Sequence, residues 1–177
     1  MKIKEEVVEF IQNYFKQNVF EITNSPIRNK KSDQWRQSWL NQFGNISDET
    51  RSAKTVIRVQ EAVQKHFGAA NVLIEEPLQT VIGQNDTNHR LDLFIPSERA
   101  AIEICLSAIK NEFEKDILKA MLDGRVTTLY IMARDYVTGK NEMHYGVNTM
   151  QQPSNSSIIN MVRVFKLDVI PTQLCPV

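Results

Sequence analysis

Residues 90–107 constrain the fold of this chain more than any other stretch. Arg90–Ile95 and Arg99–Leu106 are short apolar-rich runs on either side of Pro96-Ser97-Glu98, a hairpin signal. With Ser97-Glu98 as a two-residue tip between Pro96 and Arg99, the numbers of residues paired across the antiparallel ladder sum to 195. That register sets Asp92 directly opposite Glu103, on one face, with Cβ atoms about 5 Å apart. Alternation adds Cys105 and Ser107 to the face of Glu103 and turns Ile102, Ile104 and Leu106 the other way, into a core. A slip of one residue would part the two acids.

Two carboxylates that close repel, and each raises the pKa of the other. A divalent cation resolves the conflict, because oxygen ligands at about 2.1 Å are what Mg²⁺ prefers. The plainer alternative is a half-exposed sheet whose wet face simply carries both acids. Asp and Glu set among Leu91, Leu93, Ile102 and Ile104 are nonetheless unusual, since such residues are rarely buried without a partner.

The rest of the chain supplies a mixed α/β context. Ile3, Val7, Phe10, Ile11 and Tyr14 carry the spacing of an amphipathic helix over Lys2–Gln17. Trp35, Trp39 and Phe43 predict a short second helix ending near Gly44. Ser47 is the N-cap expected of a third, whose stripe Val56, Val59, Val63 and Phe67 runs to Gly68. Asn71–Ile82 reads as extended. Phe113, Ile117, Ala120 and Met121 mark a helix over Asn111–Gly124, with Asn111 and Glu114 as a capping box. Val126–Ala133 is apolar on both faces, as in a central strand. Met143–Val147 and Val162–Ile170 read as further strands, separated by a polar loop over Asn148–Ser157.

At 177 residues, one domain is expected, with about two-thirds of the unfolded surface buried. The divisions are a helical extension over 1–46, a core over 47–135, and strands and a loop over 136–177. No apolar run reaches the roughly 20 residues of a membrane span, and two cysteines suit a reducing, cytoplasmic setting. The formal charge is zero, from 21 basic and 21 acidic residues, which withholds bulk positive charge as an argument for nucleic acid. The zero is a cancellation: residues 1–66 carry +3, residues 67–135 carry −4, and residues 136–177 carry +1. The excess acid thus lies in the block holding Asp92 and Glu103.

Asp92 and Glu103 in this order of elements resemble the PD-(D/E)xK nuclease superfamily, to which many restriction endonucleases belong. Its signature is an acid on one strand, a second on the neighbouring strand, and a lysine two positions later. The resemblance covers residues 47–135. It implies a restriction-endonuclease-like α/β fold, a mixed sheet flanked by helices, with residues 1–46 as an N-terminal helical extension. It departs from the signature at Leu91, which stands in the proline position, a departure common in this loose family, and at Cys105, which stands in the lysine position. Some family members recruit a basic residue from the following helix, where Lys110, Lys115 and Lys119 all lie; Lys115 is the candidate carried forward.

What the resemblance implies is a metal-dependent endonuclease hydrolysing phosphodiester bonds in double-stranded DNA, a type II restriction-type enzyme of a prokaryotic or phage-like cytoplasm. Asp92 and Glu103 would ligate Mg²⁺ or Mn²⁺, and Cys105 and Lys115 complete the catalytic set. Cutting both strands implies a homodimer. The runner-up is a degenerate protein of the same fold that only binds nucleic acid or a protein partner.

Arg28, Lys30, Lys31 and Arg36, interleaved with Trp35 and Trp39, suit phosphate contacts, as do His89 and Arg90. A basic loop and a surface turn explain them equally well. Glu61 falls about 140° from the apolar stripe of its helix, which suits a solvated position. The three histidines and two cysteines lack zinc-site spacing, and no P-loop, dinucleotide-binding or nucleophile-elbow motif occurs.

Overall fold

A computed structural model of the chain describes residues 2–18, 48–79, 89–106, 110–133 and 164–174. Helices are α1 (Ile3–Asn18), α2 (Asp48–Phe67) and α3 (Lys110–Leu122); strands are β1 (Leu73–Pro77), β2 (Arg90–Ile95), β3 (Ala100–Cys105), β4 (Thr128–Ala133) and β5 (Asp168–Gln173). The strands form one mixed sheet in chain order. β1, β2 and β3 are antiparallel neighbours, whereas β3, β4 and β5 run parallel. α3 supplies the long connection that two adjacent parallel strands require.

β3 is the central strand and all six of its residues are buried. Its even-numbered residues Ile102 and Ile104 join Leu93, Ile95, Tyr130 and Met132 under α1 and α2. On the opposite face, Ala101 and Cys105 meet Ile117, Ala120 and Met121 of α3. Both faces are therefore covered, so β3 has no wet side. Each Ile or Leu taken fully out of water here contributes about 1.5–3 kcal/mol.

Pairs Leu93–Ile102, Phe94–Ala101 and Ile95–Ala100 carry the register expected from the sequence. The turn itself differs from a two-residue tip. Pro96–Glu98 form one turn of 3₁₀ helix, and Arg99 closes it in the left-handed region at φ 51°. Pro96 suits the first position, where its missing N–H is no loss. The Arg99 guanidinium then donates to the carbonyls of Gly124 and Arg125 at 2.8 and 3.0 Å, tying the turn to the loop after α3.

Three sequence expectations are corrected. α1 is no appended extension: Val7, Val8, Ile11 and Phe15 are buried in the same cluster as α2 and the sheet. The last strand is not Val162–Ile170 but Asp168–Gln173. Val164 and Phe165 are exposed ahead of it, and Lys166 has a positive φ. Pro171 halts a sequence reading at Ile170, yet among the described residues β5 stands at the end of the sheet, where a residue without an N–H is tolerated. Finally, α3 spans Lys110–Leu122 and not Asn111–Gly124, so Asn111 lies inside the helix and not at its cap; α2 ends at Phe67, ahead of Gly68 at φ +88°, as the sequence leads one to expect.

The short helix expected at Trp35–Gly44, the strand at Met143–Val147 and the loop Asn148–Ser157 lie outside the described residues. No helix among the described residues is long and apolar enough to cross a membrane.

Candidate functional site

Asp92 sits where regular pairing stops on both sides. Toward β3 the ladder ends at Leu93–Ile102, one step short of Asp92 and Glu103, so the direct pairing expected of the two acids is not formed. The Asp92 carboxylate Oδ2 instead accepts the Ile104 N–H at 2.8 Å. Toward β1 the pairs pass from Ile74–Leu93 to Glu76–Leu91, skipping Glu75, which stands at φ 49°. A left-handed glutamate within a strand costs about 1–3 kcal/mol. Gln60 of α2, fully buried, offsets part of that cost. Its Nε2 donates to Glu75 Oε1 at 2.7 Å and to the Asp92 carbonyl at 3.0 Å.

From the other face α3 delivers Asp116 and Lys119. The Lys119 ammonium lies 2.8 Å from Glu103 Oε2 and 2.8 Å from Asp116 Oδ1. It also donates to the Arg90 carbonyl at 3.1 Å, so its three protons have three acceptors. Asp116 Oδ2 accepts the Cys105 thiol at 3.1 Å. Glu103 is only 2% exposed, and its second oxygen, Oε1, is buried without a hydrogen-bond partner.

Three carboxylates against one ammonium leave two negative charges uncompensated in a water-poor place. Burial is the main reason that the Asp92 pKa is pushed up to about 7; Asp116 and Glu75 add to it, against the Ile104 N–H and Lys119. Burial, then the Asp92 and Asp116 charges, raises Glu103 well above the usual carboxylate range. The Cys105 thiol is raised by burial and by Asp116, and so stays protonated. Burial alone would lower Lys119, but Glu103 and Asp116 more than reverse this and hold it charged. Such a cluster must take up protons or a cation.

Among the described residues, no three His, Cys, Asp or Glu side chains are arranged to hold a metal by themselves. Two carboxylates are enough for Mg²⁺, which keeps several waters and accepts backbone oxygens. Glu103 Oε1, buried and without a donor, fits a cation beside Asp92.

The structure thus gathers Asp92, Glu103 and Cys105, and adds Lys119 and Asp116. It does not bring Lys115, which is exposed on α3, whereas Lys119 reaches the acids. Arg90 is exposed: its guanidinium bonds the Glu75 carbonyl at 3.0 Å, and its own carbonyl serves Lys119. His89 is half-buried just ahead of β2, and Glu61 is exposed. Arg28, Lys30, Lys31 and Arg36 lie outside the described residues. Two residues of the site had an unused signal in the sequence. Gln60 falls inside the Val56/Val59/Val63 stripe of α2, and Asp116 inside the Phe113/Ile117/Ala120 stripe of α3. A polar residue within an apolar stripe marks a buried polar contact.

The described residues form a mixed α/β protein with a five-stranded mixed sheet and a buried cluster of acids and one lysine at its centre. Comparisons with protein-family models, with curated proteins and with solved structures find no match to this chain.

Proposed function

We propose that this chain is a metal-dependent endonuclease of the PD-(D/E)xK kind, hydrolysing phosphodiester bonds in double-stranded DNA. The observation that carries the reading is the neighbouring acids Asp92 and Glu103, the second with a buried unpartnered oxygen and contacted by a lysine from the next helix. Asp92 and Glu103 would hold Mg²⁺ or Mn²⁺, which polarises a scissile phosphate and lowers the pKa of an attacking water. Within this reading the Ile104 N–H fixes the aim of the first acid, and Lys119 in place of Lys115 supplies the fixed positive charge. That charge offsets the negative charge that builds on phosphate in the transition state. A type II restriction-type enzyme working as a homodimer follows from the resemblance, because two strands need two sites.

A second reading, a protein of this fold that binds nucleic acid or a protein partner without catalysis, is favoured by one observation. All three protons of Lys119 already have acceptors within the chain. Plasmid DNA incubated with the purified chain and Mg²⁺ or Mn²⁺ separates the two. Nicking or linearisation by the wild type, abolished by Asp92→Ala and by Glu103→Ala, is expected of the nuclease. No cleavage by the wild type, or equal cleavage by both variants, overturns it; retention on a gel without cleavage supports the second reading.

A further inference from the structure

We propose that Asp116 and Cys105 are positioning residues that hold the Lys119 ammonium at the Asp92–Glu103 pair, so that the cysteine in the lysine position of β3 serves a lysine carried by α3. The catalytic consequence rests on the nuclease reading; the positioning itself does not.

The four side chains form one chain of contacts whose two ends both stand on β3. Glu103 and Cys105 are alternate residues on the α3-facing side of β3, and Asp116 and Lys119 are one helical turn apart on α3. Glu103 Oε2 meets Lys119 Nζ at 2.8 Å, Asp116 Oδ1 meets the same nitrogen at 2.8 Å, and Asp116 Oδ2 meets Cys105 Sγ at 3.1 Å. The two Asp116 oxygens thus divide the work, one binding the ammonium while the other is fixed to β3 by the thiol. A lysine side chain has four rotatable bonds, so a charge that must sit at one point needs such a clamp. The cysteine suits its place in two ways. It is small, which leaves the face of β3 open to an aspartate and a lysine from the helix, and its thiol is a donor aimed at a carboxylate. A lysine at 105 would occupy the volume that Asp116 and Lys119 fill.

The test uses the full chain labelled with ¹⁵N-lysine, in chelator. A buried ammonium with three acceptors exchanges its protons slowly and should give a distinct signal, assigned by its loss in Lys119→Met. We expect Asp116→Asn to abolish that signal, Cys105→Ala to weaken it, and Cys105→Ser, which keeps a donor, to retain it; Lys115→Met is the control. A signal unchanged in Asp116→Asn overturns the proposal whatever the chain does to DNA. In the cleavage assay, Asp116→Asn should lower kcat by roughly 10–100-fold, as loss of an orienting partner does, with KM unchanged. Cys105→Lys combined with Lys119→Met should recover part of what Lys119→Met loses. An unaltered kcat in Asp116→Asn also overturns the proposal. Loss of the signal in Asp116→Asn, in a chain whose wild type cuts no DNA, supports the positioning and overturns the nuclease reading instead.

Discussion

Asp92 is aimed by the residue that follows Glu103: its carboxylate takes the Ile104 N–H at 2.8 Å. The two acids are therefore coupled through the backbone as well as by charge, because any shift of β3 moves Glu103 and the donor to Asp92 together. A hairpin whose ladder stops at Leu93–Ile102 frees that N–H for the purpose.

Lys119 is the counter-charge of two buried carboxylates, and its loss should be costly. Lys119→Met leaves Glu103 and Asp116 without it, and breaking such a buried pair costs about 3–5 kcal/mol. Lys115→Met, at an exposed position of the same helix, should stay within about 0.5 kcal/mol of wild type. Urea unfolding of both variants at neutral pH measures the difference. Equal stabilities would show that the Lys119 contacts carry no net energy.

The raised pKa of Asp92 sets the sign of a pH dependence. Its folded value is about 7 against an ordinary 3.8, so the folded chain binds this proton more tightly than the unfolded chain does. The associated stability is fully present below about pH 4 and is lost as pH rises through about 7. Chelator-treated wild type should lose stability over that window, and Asp92→Asn should flatten the loss. A slope identical in the two proteins would remove Asp92 as its source.

Arg125 makes a second, independent clamp. It bonds Asp123 at 2.7 Å, Glu76 at 2.6 Å and the Pro77 carbonyl at 2.8 Å, and it lies 4.9 Å above the Phe94 ring. The Asp123 side chain is wholly buried. Burial alone would raise its pKa, but the Arg125 guanidinium and the backbone N–H groups of Arg125 and Gln79 bring it below the ordinary value. The stability this provides is present above about pH 4 and is lost as pH falls through the depressed value. Arg125→Ala, which strands the Asp123 carboxylate, should cost about 3–5 kcal/mol at neutral pH by urea unfolding. It should cost less in acid, and an equal cost at both would show that charge pairing is not the cause.

At the far end of the hairpin, Glu98 Oε1 accepts the Ile3 N–H at 2.6 Å and so caps α1 from the turn between β2 and β3. Glu98→Ala should lower stability by about 0.5–2 kcal/mol, the usual worth of an N-terminal cap. Thermal unfolding followed by circular dichroism measures it. A loss far above that range would mean that the turn, not the cap, has failed.

The hairpin register was legible because apolar runs flank Pro96-Ser97-Glu98, and burying both runs admits one alignment. The 3₁₀ turn closed by a left-handed Arg99 was not, since nothing about arginine favours positive φ; its hydrogen bonds to Gly124 and Arg125, far along the chain, hold it there. Asp92 and Glu103 were legible as a pair from the hairpin register, with alternation placing Cys105 beside them. Choosing Lys119 over Lys115 requires the rotation of α3 against the sheet, and that is set by tertiary packing of Ile117, Ala120 and Met121. Asp116 held the missing hint, as an acid inside that apolar stripe. The final strand differs because Pro171 reads as a breaker until β5 is seen at the end of the sheet formed by the described residues.

The central claim of the proposed function is that Asp92 and Glu103 make a divalent-cation site. Titration calorimetry of the metal-free chain with Mn²⁺ tests it most directly. One saturable site is expected in the wild type, weakened by roughly tenfold or more in Asp92→Asn and in Glu103→Gln. No binding by the wild type, or the same binding by all three proteins, would contradict the claim and leave the cluster as a buried, proton-holding part of the core.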